Sequence, residues 1–208
     1  MGGTDYHITA TVLLRNSIIL KDDAVVFRSE EKGAAFLKEA YGQLGVEYPR
    51  FYKMDALSKM GLVAADVLLK NNFTTAYRPE QVGLVFSNRN ASIEADAHYW
   101  EASQEYPSPA LFVYTLPNIV IGELCIRYQF KGENAFFVSE RFDAEWIHWY
   151  VSDLMKRNLL KACICGWVDV LDDRLDACLF LVEQEASGRS STFTPGNLDQ
   201  IYKKDYGK

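Results

Sequence analysis

The chain has 208 residues, with 22 lysines and arginines against 28 aspartates and glutamates, and a formal net charge of −6. Hydrophobic residues make up 49% and charged residues 24%, a balance that supports a packed core and excludes a disordered chain. With acidic charge in excess and no basic patch beyond short local clusters, the sequence argues against a nucleic-acid partner.

The apolar stretch near the start lacks a basic leader and a small-residue cleavage site, and Arg15 and Asn16 interrupt it, so it does not read as a secretory signal. No run approaches the ~18 apolar residues of a membrane span. A cytoplasmic protein with no membrane partner is expected. The four cysteines, Cys125, Cys163, Cys165 and Cys178, lie in apolar runs without zinc-site spacing, and read as buried thiols. Cys163 and Cys165 share a strand face by the two-residue period, but no second ligand pair is near, so no metal is expected.

In chain order, His7 to Leu14 and Ile18 to Phe27 read as β-rich stretches with a turn near Arg15-Asn16. Glu30 to Leu44 reads as a helix stopped by Gly45. Phe51 to Lys70 carries Met54, Leu57, Gly61, Ala64, Ala65 and Leu68 at helical steps, with Asn71-Asn72 as its end; the small residues would allow close approach to a sheet. Gln81 to Ser87 is a strand, followed by a polar loop at Asn88 to Asn90 and a helix around Ile93 to Ser103. Tyr106 to Pro109 is a break. Pro117-Asn118 opens a helix over Ile119 to Phe130, in which Gly122 is small enough for tight packing. Asn134 to Ser139 is a strand. Asp143 can cap a helix running to about Asn158, with Lys156 and Arg157 at its negative end. Lys161 to Val168 and Asp176 to Glu183 flank the polar turn Asp172 to Arg174 as a hairpin. Strands separated by helices predict an α/β fold with a layered mixed β-sheet. Residues 1–185 form the domain, and 186–208 a polar C-terminal tail or docked arm.

Several segments resemble, in order, the β-ketoacyl synthase family of the thiolase fold. Phe51 to Asp55 with Leu57 to Met60 resembles its early helix, and Val82 to Ser87 the next strand. Pro107 to Phe112 and Leu116 to Glu123 resemble its proline–asparagine segment. Lys131 to Ser139 is similar to the strand that delivers the nucleophile, and Ala162 to Val168 to the strand after the central helix. The resemblance spans about residues 5 to 185 and extends to the short ketosynthase-like proteins of aryl-polyene and flexirubin-type clusters. It implies half of a thiolase-like fold.

The departures bear on function. The resemblance places the acyl-accepting cysteine just after Ser139, at a strand-to-helix junction, where this chain has Glu140-Arg141-Phe142-Asp143-Ala144. Phe142 stands at the expected nucleophile position, and a phenyl ring can neither attack a thioester nor give up a proton. The family's catalytic histidines come from a C-terminal half for which this sequence has no counterpart, and His7, His98 and His148 are not in matching places. In the helix after the junction, Ile147, Val151, Leu154 and Met155 form one apolar stripe, and Trp146, Trp149, Tyr150 and Asp153 a second, amphipathic one. Two stripes predict a helix covered on most sides, either by rings filling the space of the absent half, by a partner, or by ordinary core packing.

The resemblance implies an accessory or chain-length-factor-like subunit of fatty-acid or polyketide-type synthesis without a nucleophile of its own. Its expected partners are a full-length ketosynthase, an acyl carrier protein, or a second copy through the 134–139 strand; no cofactor is expected. The residues expected to face acyl chain or partner are Asn118, Ser139, Phe142, Trp146 and Trp149. Two alternatives stand beside it: a 3-oxoacyl-carrier-protein synthase-type acyltransferase acting with a partner or a relocated nucleophile such as Cys163, Cys165 or Ser139, and an acyl or small-molecule binding module.

Overall fold

The computed structural model describes residues 5–69, 73, 76–186, 188 and 190–204. Their strands form one mixed sheet in the order β3-β2-β1-β7-β6-β4-β5, made of β1 (His7–Arg15), β2 (Ile18–Lys21), β3 (Ala24–Arg28), β4 (Val82–Asn88), β5 (Asn134–Val138), β6 (Ala162–Leu171) and β7 (Arg174–Glu183). The first five neighbours in that order pair antiparallel, while β6, β4 and β5 run parallel. A short strand, β8 (Ser191–Thr192), pairs with the start of β1, beyond the stretch that β2 covers. The fold is α/β and mixed, as the alternation of strands and helices predicts.

The central strands are buried on both faces. Leu84, Phe86, Ile164, Val168, Leu179 and Leu181 point to one side, where α1 (Gly33–Gln43), α2 (Ala56–Leu68) and α5 (Ile119–Tyr128) cover them. Val85, Cys163, Cys165, Trp167, Cys178 and Phe180 point to the other, against α6 (Ala144–Lys156) and α7 (Pro195–Tyr202). The alternation follows from the two-residue period of a strand. Between β4 and α5 the chain makes an excursion through α3 (Ile93–Ser103) and the short α4 (Pro109–Phe112).

Several boundaries differ from the sequence reading for local reasons. The stretch Ile18 to Phe27 is two strands, because Asp22 and Asp23 both adopt positive φ in a two-residue turn, which Asp tolerates better than most residues. The first turn is at Asn16-Ser17 by the same geometry. Helix α2 begins at Ala56 rather than Phe51: Pro49 to Lys53 make a 3-10 turn, Met54 is extended, and the Asp55 carboxylate accepts the Ser58 N–H at 3.1 Å as a cap. Its expected end at Lys70 to Asn72 lies outside the described residues. The other helices and strands fall within about three residues of their expected limits, β6 and β7 being longer because their hairpin closes on Asp172-Asp173 alone. Gly45 ends α1 as expected, at φ +67°, with the Val46 N–H returning to Tyr41 O.

The tight helix contact is made by a different glycine from the one expected. No heavy atom lies within 4 Å of where a Cβ on Gly122 would point, whereas a Cβ on Gly61 of α2 would run into the Val120 side chain of α5. Gly61 thus lets α2 approach α5, its neighbour in the layer. Buried Glu123 of α5 accepts hydrogen bonds from Arg50 at 2.7 Å, Tyr48 at 3.1 Å and Tyr114 at 3.2 Å, so its charge is paired where burial would otherwise penalise it.

Residues 191–204 lie against the sheet. Phe193 and Leu198 are buried, the Tyr202 hydroxyl donates to Asp176 at 3.0 Å, and Arg15 bonds both the Asp176 carboxylate and the Tyr202 carbonyl. Leu198→Ala is expected to cost about 2–5 kcal/mol of unfolding free energy, the range for a fully buried leucine. Urea denaturation checks this, and a midpoint equal to that of the parent chain would show the arm to be a loose appendage.

Candidate functional site

Strand β5 lies at the parallel edge of the sheet, so one side of its backbone has no strand beside it among the described residues. The chain leaves β5 through Ser139, whose N–H donates to Asn88 O at 2.8 Å and whose Oγ donates to Arg141 O at 2.9 Å. Asp143 then caps α6, accepting the Trp146 N–H at 2.9 Å. Lys156 in the last turn and Arg157 just past it complete the expected helix polarity.

The cap geometry turns Phe142 inward. Its ring is only 6% exposed, stacks on Tyr202 at 4.5 Å and lies 6.1 Å from Phe180, with Trp167 edge-on at 6.5 Å. The junction therefore presents a hydrocarbon ring held beneath α7. Beside it an open cleft of about 700 Å3 runs between Arg141–Glu145 and the start of α7. The junction carries no thiol, and its one hydroxyl is engaged with a backbone carbonyl.

Around the β5 edge the aromatic residues cluster. Phe137 meets Trp146 at 5.5 Å and Tyr150 at 5.1 Å, both edge-on, and Trp146 lies 5.0 Å from Trp149. The first stripe of α6 is buried as expected, but the second is not: Trp146 is 41% and Trp149 58% exposed. Of the covers expected for α6, packing within the chain thus accounts for the first stripe and not for the tryptophan side of the second. Helix α7 and the sheet cover part of α6, and no other described element reaches the tryptophan side. Of the five residues expected to face acyl chain or partner, Ser139 and Phe142 lie on the β5–α6 connection and Trp146 and Trp149 in α6, but Phe142 is turned in against Tyr202 while the tryptophans stand exposed beside Phe137. Asn118 stands exposed at the start of α5, in the layer on the opposite face, and makes no capping bond.

Tyr202, Asp176 and Arg15 belong to this site through Phe142, and the sequence reading did not single them out. They lie far apart in the chain, and the only hint was the possibility of a docked arm. Burial raises the Cys165 and Cys178 thiols well above their ordinary range, and raises that of half-buried Cys125 as well. The His148 ring lies 5.1 Å from that of Phe193, and burial lowers its pKa while the charge of Glu145 opposes the shift. Among the described residues no group of three or more His, Cys, Asp or Glu is placed to hold a metal. No single described helix is long and apolar enough to cross a membrane. The bent pair 109–115 and 119–128 has the length and composition, but Val120, Ile121 and Leu124 of α5 are buried in the protein.

No protein-family model matches the chain, and no curated protein matches its sequence. Solved structures do match. One is a type II polyketide synthase acyl-carrier protein in complex with its ketosynthase, at 14% identity and TM-score 0.61, covering 86% of this chain and 62% of that one. The fold is that of a ketosynthase. The ishigamide ketosynthase/chain length factor matches at 20% identity and TM-score 0.63, again over 86% and 62%. A ketosynthase in complex with its chain length factor from Xenorhabdus doucetiae matches at 14% identity and TM-score 0.56, over 89% of this chain and 81% of that one. The chain therefore spans less than two thirds of the length of the first two, and carries the ketosynthase fold over that part.

Two outcomes follow. Cys163, Cys165 and Cys178 are expected to resist a thiol-labelling reagent in the native state and to react on denaturation; native modification of either β6 cysteine, read by mass spectrometry, would revive a relocated nucleophile. Glu94, half-buried at the start of α3, has one carboxylate oxygen without a hydrogen-bond partner. Burial raises its pKa, with the charges of Asp172, Asp55 and Asp173 adding and a backbone hydrogen bond opposing. A raised carboxyl favours the folded state when protonated, a contribution present below the unfolded value and lost as pH rises through the folded one. Glu94→Gln should therefore raise the thermal midpoint at about pH 7 and leave it nearly unchanged at about pH 4, close to the unperturbed glutamate pKa; a loss at about pH 7 would show that the charge is compensated.

Proposed function

We propose that this protein is a chain-length-factor-like accessory subunit of a fatty-acid or polyketide-type synthase, paired with a full-length ketosynthase and without acyl-transfer chemistry of its own. The observation that carries this reading is Phe142. At the strand-to-helix junction where the fold would hold an acyl-accepting cysteine, the chain holds a phenyl ring packed under Tyr202. A ring in that place can shape an apolar space but cannot form a thioester. Solved neighbours that are a ketosynthase with its acyl-carrier protein or its chain length factor support protein partners in general.

The pairing surface in this reading is the β5 edge with the rings beside it. An edge strand offers backbone donors and acceptors to a second strand, and exposed Val138 and Trp149 offer apolar area next to them. The same edge would serve a homodimer, and an acyl carrier protein would then dock on the assembled pair.

Co-purification with the full-length ketosynthase of the same organism tests the proposal. An equimolar complex is expected, with condensation by the mixture and none by this chain alone. Val138→Asp should abolish the complex while leaving the thermal midpoint of the isolated chain in place. Phe142→Leu, a nearly volume-conserving change, should leave the complex intact and alter product length. Turnover by the isolated chain, or failure to associate, would overturn the reading.

A further inference from the structure

Tyr202 is held from several directions. Its hydroxyl donates to Asp176 Oδ2 at 3.0 Å. Arg15 donates to its backbone carbonyl at 3.0 Å, and the guanidinium stands 4.8 Å from the centroid of its ring. Arg15 in turn meets Asp176 Oδ1 through Nε at 3.0 Å and Nη2 at 2.6 Å. Residues of β1 and β7 thus fix one phenol ring of α7 in one orientation. Covering the sheet does not call for this, since Phe193 and Leu198 of the same arm do so by apolar burial alone.

The fixed ring lines the same cleft as Phe142, on which it stacks at 4.5 Å. Within that cleft of about 700 Å3, Phe142 and Ala144 are buried and Tyr202 partly so, whereas Arg141, Asp143, Glu145 and Lys203 are exposed. The two rings therefore form its inner wall, and the volume is that of a small-molecule site. The cleft begins at Arg141, shortly after β5 ends at Val138, the edge where the accessory-subunit reading places the ketosynthase. Three carboxylates, Asp143, Glu145 and Asp199, line it against two cations, Arg141 and Lys203. That balance disfavours a free fatty carboxylate and accepts the uncharged tail of a chain esterified elsewhere.

We propose that Tyr202 is a specificity-determining residue: with Phe142 it forms the wall at which the tail of an esterified, growing acyl chain stops. Arg15 and Asp176 are the positioning residues that hold it there. The occupant rests on the accessory-subunit reading; the wall itself comes from the geometry of the arm. Product length is then set by the arm as well as by the junction.

Product length from the full chain mixed with the full-length ketosynthase tests this, read by mass spectrometry beside the affinity of the complex and the thermal midpoint of the isolated chain. Tyr202→Leu should shift the products longer by at least one round of extension, and Tyr202→Trp should shift them shorter, with the affinity of the complex unchanged. Asp176→Asn breaks the ion pair with Arg15 and should broaden the product distribution. Leu198→Ala weakens the arm but does not line the cleft, so it should lower the midpoint and leave product length in place. A shift with Leu198→Ala equal to that with Tyr202→Leu would show that the arm acts through stability alone, and loss of the complex with either Tyr202 variant would place the residue in the interface; both results overturn the wall. Unchanged products in both Tyr202 variants, with Phe142→Leu still shifting them, would overturn the wall and leave the accessory reading standing. Absence of any complex with the parent chain would overturn that reading and the assigned occupant together. Binding of free dodecanoate by the isolated parent chain, abolished by Tyr202→Trp, would show a fatty-acid site independent of the ketosynthase and overturn the occupant.

Discussion

Everything in this protein depends on a sheet whose central strands are apolar on both faces. Strands β4, β6 and β7 are buried nearly throughout, and such strands are stable only between two covering layers. One layer is conventional: α1, α2 and α5 pack on each other and on the sheet, with Gly61 admitting α5 and Glu123 tying in the preceding loops. The other is economical, made of α6 and of an arm that adds strand β8 to β1 and lays α7 beside α6. The Arg15–Asp176–Tyr202 cluster joins that arm to β1 and β7, and Tyr202 brings a second ring onto Phe142.

This arrangement links the covering layer to the junction chemistry. A side chain at the start of α6 can point to solvent, as a nucleophile must, or into the layer between helix and sheet. Phe142 points inward and is roofed by α7. Around it stand an edge strand, two exposed tryptophans and a helical excursion in which no residue is fully buried. Exposed apolar groups lie at the β5–α6 edge and on the α3–α4 excursion, and also at the opposite edge of the sheet, where Val25 and Val26 of β3 are exposed.

Much of this was legible in the sequence because it is local. Helix α6 was readable from Asp143 and from Lys156 and Arg157, since a cap and an end charge act within one turn. The β6–β7 hairpin was readable from two apolar runs around a polar turn, and the end of α1 from Gly45. Where the reading slipped, a local signal had a competitor: Asp22 and Asp23 supplied a turn without glycine, and Pro49 and Asp55 moved the start of α2 past Phe51. The second stripe of α6 was correctly seen as apolar, yet periodicity records which residues share a face and is silent on whether anything lies against that face.

The sequence by itself determined the α/β class, the order of elements, the aromatic character of α6 and the presence of Phe142 just ahead of that helix, because each of these follows from residue type and short-range spacing. Only the tertiary structure decided which way Phe142 turns, that residues 191–204 roof it through Tyr202, that Trp146 and Trp149 stand open, and that no residue from Ile93 to Ile119 is fully buried. Burial depends on partners distant in the chain, such as Arg15 with Asp176 and Tyr202, and no spacing along the sequence encodes them.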